Sequence, residues 1–215
     1  MIFCGKLGGS DSRSGAMSIR FGRLGETAAH LCIDMQTMFA ERTDWHVPWM
    51  QRVLPAVQRL AQAKTDRTVF TRFIPPEHPK QMRGTWQRYY QRWRHMTGER
   101  IDPAMIDLVP PLRALVPPAS VVNKSHYSPF TERTLPDLLR KRRIDTLVIT
   151  GSETDVCVLA AVLDAVDRGY RVVVAVDALC SVSDEAHDSL LALFGKRFGQ
   201  QIEVAGSKEI LAAWD

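Results

Sequence analysis

The feature that most limits what this chain can fold into is a regular alternation of strand-length apolar runs with segments of helical periodicity. The first run, Thr27 to Ile33, does not alternate apolar with polar residues, which is the pattern of a strand covered on both faces. Further strands are predicted over Thr68 to Ile74, Ala119 to Asn123, Thr146 to Thr150, Arg171 to Val176 and Gln201 to Val204. Helices are predicted over Trp49 to Ala63, Gly84 to Met96, Leu135 to Arg142, from near Thr154 to a stop at Gly169, and from Ser183 through Phe194. Strands joined through helices pair in parallel and leave helices on both faces of the sheet. The expected fold is therefore α/β, a three-layer α/β/α sandwich around a central, mostly parallel six-stranded sheet. At 215 residues one such domain accounts for the chain, and it is assigned residues 25 to 215.

Residues 1 to 24 read differently, as a flexible N-terminal arm rich in Gly and Ser, with Met17 open as the natural start and the first sixteen residues as an upstream extension. They lack the apolar core, about 7 to 15 residues long, of a secretory signal. The net charge of +4 and pI near 9.0 suggest a polyanion partner at first sight. Lys6, Arg13, Arg20 and Arg23 against Asp11 put +3 of that charge in the arm, which leaves +1 for residues 25 to 215. Nucleic acid is accordingly not expected as a partner. No run approaches the roughly 18 apolar residues that cross a bilayer, so no membrane partner is expected either. Cys4, Cys32, Cys157 and Cys180 form no C-x-x-C pair, which points to free thiols in a cytoplasmic setting.

In an open parallel sheet, ligands bind beyond the carboxyl ends of the strands. Three reactive residues fall there: Asp34 after the first strand, Lys124 after the third, and Cys157 in the first turn of the helix that follows the fourth. A helix N-terminus favours a thiolate and offers N–H donors to an oxyanion forming beside the sulfur. Each residue alone has an ordinary explanation, Asp34 as a helix cap, Lys124 as a solvated strand end and Cys157 as a core thiol. Their convergence on one sheet edge makes a nucleophilic site the better reading.

The residues around these three resemble the isochorismatase-like cysteine hydrolases, a family that includes nicotinamidases, N-carbamoylsarcosine amidohydrolases and biuret or ureide amidohydrolases. The resemblance rests on Leu31-Cys32-Ile33-Asp34-Met35-Gln36, on Lys124 with Tyr127-Ser128-Pro129-Phe130, and on Val148-Ile149-Thr150-Gly151 through Thr154-Asp155-Val156-Cys157-Val158. Asp167-Arg168-Gly169-Tyr170 and Val176-Asp177-Ala178 extend it, so that it covers about residues 27 to 205. It implies a small-molecule amide substrate, Asp34 as general base, Cys157 as a nucleophile that passes through a thioester, and Lys124 as the cation supporting both anions. It also implies an oxyanion hole made of the backbone N–H groups of Glu153 and Cys157, and a non-proline cis peptide at Ser152-Glu153. Fold does not dictate chemistry, and a vinyl-ether hydrolase of the isochorismatase type and a catalytically silent binding protein remain alternatives.

The chain departs from the family pattern in two places. Relatives that bind zinc beside the site carry an Asp-x-His pair near the end of the second strand, where this chain reads Arg72-Phe73-Ile74-Pro75-Pro76-Glu77-His78; Asp44-Trp45-His46 has that spacing but lies in a loop. A zinc site needs three or four converging ligands, so neither a metal nor a cofactor is expected. Glu153 is charged where the turn is usually small and apolar, which leaves open whether it faces solvent or narrows substrate choice. Phe39, Trp45 and Tyr127 are candidate contacts for a planar amide and Arg72 for a carboxylate. His126 and His187 are read as surface or helix residues. Trp86, Tyr89, Tyr90 and Trp93 form a helical stripe interleaved with Arg83, Arg88, Arg92 and Arg94, read as a packed face that serves as a lid or a subunit contact. A homo-oligomer is the expected assembly.

Overall fold

In the computed structural model, which describes residues 19–215, β1 (Ala28–Ile33) is buried at every position. A strand with no exposed face needs neighbours on both edges and a layer on each side, and the rest of the chain supplies them. In order follow α1 (Thr37–Ala40), α2 (Met50–Ala63), β2 (Thr68–Phe73), α3 (Gly84–Arg92), α4 (Pro103–Ile106), α5 (Pro110–Arg113), β3 (Ser120–Lys124), α6 (Thr134–Lys141), β4 (Thr146–Ser152), α7 (Leu159–Asp167), β5 (Arg171–Cys180), α8 (Asp184–Lys196), β6 (Ile202–Ala205) and α9 (Ser207–Ala212). The sheet order is β3-β2-β1-β4-β5-β6 and every pairing is parallel, with Leu31 opposite both Val69 and Ile149. The expected three-layer architecture is therefore the observed one.

One helical layer, led by α2 and α9, covers Ala28, Cys32, Phe70, Val148 and Val173; the other, built from α6, α7 and α8, covers Leu31, Val69, Leu147, Ile149 and Val174. Alternate residues of each strand face alternate layers, which is why the strands read as apolar without interruption. From β1 the chain builds outward through β2 and β3, then crosses to β4 and builds the other way. The carboxyl ends of β1 and β4 thus flank the point where the strand order reverses, the place where such sheets form a crevice.

Several boundaries moved. β5 runs four residues beyond Val176 because its register against β4 shifts between Ile149 and Gly151, so that Gly151 pairs with Leu179. The helix expected to reach Met96 ends at Arg92, and Arg94–Met96 forms a separate 3-10 turn. Residues 1–18, most of the expected arm, lie outside the described residues. Its last part is tied down: the N–H groups of Arg20 and Phe21 donate to Glu203 Oε1 at 2.5 and 3.0 Å, and Leu24 is buried in a bridge to Trp214. No described helix is long and apolar enough to cross a membrane.

Candidate active site

Three strand ends position the candidate site. Asp34 leaves β1 with φ of 48°, a left-handed conformation that is uncommon outside glycine and recurs at functional positions. Its N–H donates to Thr71 Oγ1 at 3.1 Å, and that hydroxyl donates to Asp34 Oδ1 at 2.5 Å, so β2 fixes the carboxylate. Gln36 clamps the two strand ends together, donating to Phe73 O at 3.0 Å and accepting from Phe73 N at 2.7 Å. On β4, Gly151 has φ of 111°, and a Cβ there would fall on the backbone of Ile33. Glycine is what lets β4 close up on the end of β1.

Past Gly151 the Ser152–Glu153 peptide is cis, as the family resemblance implied. The chain then enters a π-helical turn, Thr154–Val158, in which Val158 N donates to Glu153 O, five residues back, at 3.0 Å. Such turns are wider than α and are frequent at functional sites. Cys157 sits in this turn.

The three candidates meet. Lys124 Nζ lies 2.6 Å from Asp34 Oδ2 and 3.4 Å from Cys157 Sγ, and donates to His126 O at 3.0 Å. Burial alone would drive proton loss from Lys124, but Asp34 and Cys157 outweigh it and its pKa is raised, so the ammonium persists. Cys157 is perturbed in the other sense. Burial pushes its thiol well above the ordinary range, Lys124 pulls it down, and Asp34 pushes it up again. Desolvation of the buried sulfur thus opposes the thiolate that a helix start and Lys124 favour. Asp34 Oδ2 is held by the Lys124 ammonium, and the adjacent thiol is placed to donate to the same carboxylate.

Cys157 opens into a cavity of about 50 Å³ walled by Phe39, Trp45, Phe73, Tyr89 and Tyr127, with Ser152, Glu153 and Val156 from the nucleophile turn completing the lining. Trp45 organises the wall, with ring centroids 6.2, 5.9 and 6.0 Å from Phe39, Phe73 and Tyr89. Trp86 packs 4.6 Å from Tyr127. The aromatic stripe of α3 is thus a packed face over the cavity. Glu153 is half-buried there rather than fully solvated; burial, then Asp155, raise its carboxyl to about 6, partly offset by the backbone N–H of Val182. Cys32 and Cys180 are also free and fully buried, and burial pushes both thiols up to about 12. Neither lines the cavity.

Of the four candidate substrate contacts, Phe39, Trp45 and Tyr127 line the cavity and Arg72 does not. Thr71 and Phe73 face the site, so the residue between them points away. Arg72 donates instead to Asn123 Oδ1 at 3.0 Å and Asp107 Oδ1 at 2.9 Å. His126 contributes its backbone carbonyl and not its ring to Lys124. His187 is on α8 but is buried, its Nδ1 2.8 Å from Thr154 Oγ1 and its ring 5.7 Å from Trp49. Asp44 lies beside His95, and His78 beside Glu99; among the described residues no three His, Cys, Asp or Glu side chains group as metal ligands. Sequence reading overlooked Thr71 and Phe73, and took Tyr89 as part of the α3 stripe without singling it out as a cavity residue. For Thr71 a signal existed, because a hydroxyl inside a strand buried on both faces requires a polar partner.

Residues 28–206 match the model of the isochorismatase domain family. The chain is 37% identical over 81 residues to an uncharacterized isochorismatase family protein of Bacillus subtilis, covering 38% of this chain and 44% of that protein. It is 34% identical over 111 residues to ureidoacrylate amidohydrolase of Methylobacterium radiotolerans, covering 51% and 42%. The chain thus spans less than half the length of these two curated relatives. Among solved structures, a cysteine hydrolase from Pseudomonas syringae pv. phaseolicola superposes with a TM-score of 0.75 at 24% identity, over 87% of this chain and 92% of that one. At that identity the likeness speaks for the fold.

Proposed function

Because this chain belongs to the isochorismatase domain family, matched from residue 28 to 206, we propose that it hydrolyses a C–N amide bond of a small molecule through Cys157. The observation that carries the reading is the buried cluster of Asp34, Lys124 and Cys157, with the sulfur opening onto an aromatic-walled cavity. In this reading Asp34 takes the thiol proton as Sγ bonds to the amide carbon, so no standing thiolate is required. Lys124 offsets the negative charge at both residues. The charge that develops on the carbonyl oxygen is met by the backbone N–H groups of Glu153 and Cys157. The C–N bond then breaks, ammonia or an amine leaves with the proton from Asp34, and the acyl group stays on sulfur as a thioester. Water gives a proton to Asp34 and attacks that thioester; the carboxylic product departs and the thiol recovers its proton. A reducing compartment belongs to the same proposal, since the nucleophile has to stay reduced.

The test is an ammonia-release screen over nicotinamide, carbamoyl amino acids, biuret and simple aliphatic amides, with Cys157→Ala as control. A productive amide should leave an acyl mass on Cys157 after acid quench. Ammonia release that persists in Cys157→Ala, or turnover without any adduct, would remove the thioester from the mechanism.

A further inference from the structure

The cavity beside Cys157 carries a lopsided set of polar groups. Among the described residues that line it there is no arginine, lysine or histidine. Lys124, the cation next to Cys157, is engaged by Asp34 Oδ2, Cys157 Sγ and His126 O. The lining does hold a carboxylate, Glu153, which shares the cavity with Tyr89 and Tyr127.

We propose that this cavity selects small carboxamides that carry no carboxylate, with Glu153 receiving a donor or cation at the far end of the substrate. The proposal rests on the amidohydrolase reading for the scissile group, and it concerns the opposite end of the molecule. A carboxylate entering the cavity would shed its hydration, meet no guanidinium or free ammonium, and face Glu153. An ammonium or an amide N–H meets an acceptor and, in Trp45, Tyr89 and Tyr127, ring faces that also favour a cation. Glu153 stands between the cis peptide and the π turn, four residues before the nucleophile, so one backbone turn carries both the reactive sulfur and the group that screens substrate charge.

Three open-chain amides of similar length test this: 4-aminobutanamide (cationic), succinamide (neutral) and succinamate (anionic). Each is measured at pH 7.5 as kcat/KM for ammonia release by the wild type, and as binding to Cys157→Ala by tryptophan fluorescence, with Trp45 in the cavity wall. Succinamate should trail succinamide by about tenfold or more in both measures, because like charges across a desolvated contact are strongly disfavoured. In Glu153→Gln that ratio should shrink severalfold, whatever the variant's absolute rate. A succinamate constant equal to or better than that of succinamide, or a ratio unmoved in Glu153→Gln, overturns the proposal. So does failure of all three to bind. Binding in the expected order without ammonia release would sink the hydrolase reading and leave charge selection standing; ammonia release that favours succinamate would do the reverse.

Discussion

His30 within β1 and Asp34 just past its end are both buried ionisable side chains, and the protein uses them in opposite ways. His30 Nε2 is 2.8 Å from Thr150 Oγ1 and Nδ1 is 3.2 Å from Thr68 Oγ1. The Thr68 hydroxyl donates to Lys64 O at 2.8 Å, so its proton is committed. Nδ1–H therefore donates to Thr68 while Nε2 accepts from Thr150, and every polar atom of a neutral ring is satisfied. Burial holds the imidazole down at about 3. Asp34 sits against the Lys124 ammonium and beside Cys157, and Cys157 lines the cavity. Burial of a polar group does not mark function. Burial next to a reactive group that opens onto space does.

The contrast can be broken most directly by exchanging the two readouts. Cys157→Ser should lower amide turnover by about 10³-fold or more, because a lost nucleophile is not replaced by the rest of the machinery, and it should leave stability nearly unchanged. His30→Ala should do the opposite, with stability falling by about 2 kcal/mol as two threonine hydroxyls lose their partner and a void opens, while the folded fraction keeps its kcat. Denaturant melts and ammonia assays on both variants decide it. If folded His30→Ala is as inactive as Cys157→Ser, the two regions are not separable. The ion pair has its own test: Lys124→Met leaves Asp34 buried without its cation and should cost about 3 kcal/mol or more. Adding Asp34→Asn should recover most of that stability and none of the turnover. A double variant as unstable as the single one would show that Lys124 matters through packing and not through charge.

The architecture was legible because the inner strands β1 and β4 are buried on both faces, and Asp34, Lys124 and Cys157 were legible because each is a reactive residue at or just beyond the end of a strand-length run. The cis peptide came with the family resemblance. What local sequence could not carry depends on distant neighbours. How strongly burial opposes the Cys157 thiolate depends on segments far away in the chain. Phe39, Trp45 and Tyr127 were read as cavity contacts, whereas Phe73 and Tyr89 join the wall through contact between distant segments. The π turn escaped because one extra residue in a turn leaves the apolar periodicity of α7 intact. Arg72 is a different kind of miss. Strand parity, once Thr71 and Phe73 were known to face the site, excludes it, yet a single cation near a strand end carries no parity of its own.

The smallest effect sharpens the comparison through pH. An unfolded chain protonates His30 near 6.5, whereas the folded protein resists until about 3. Between those values the unfolded state binds the extra proton, so this group's contribution is fully present above pH 6.5 and is lost as pH falls towards 3. One pH unit below 6.5 the loss is about 1.4 kcal/mol. Other groups titrate over the same range, so the wild type alone cannot report it. His30→Gln keeps a donor and an acceptor without titrating, and the stability difference between wild type and variant isolates the imidazole. That difference, read from chemical denaturation, should move against the wild type by about 1.4 kcal/mol between pH 7.5 and 5.5. A difference independent of pH would mean that His30 can be protonated in the folded state, and that the pocket between Thr68 and Thr150 is not closed in the way the hydrogen bonds imply.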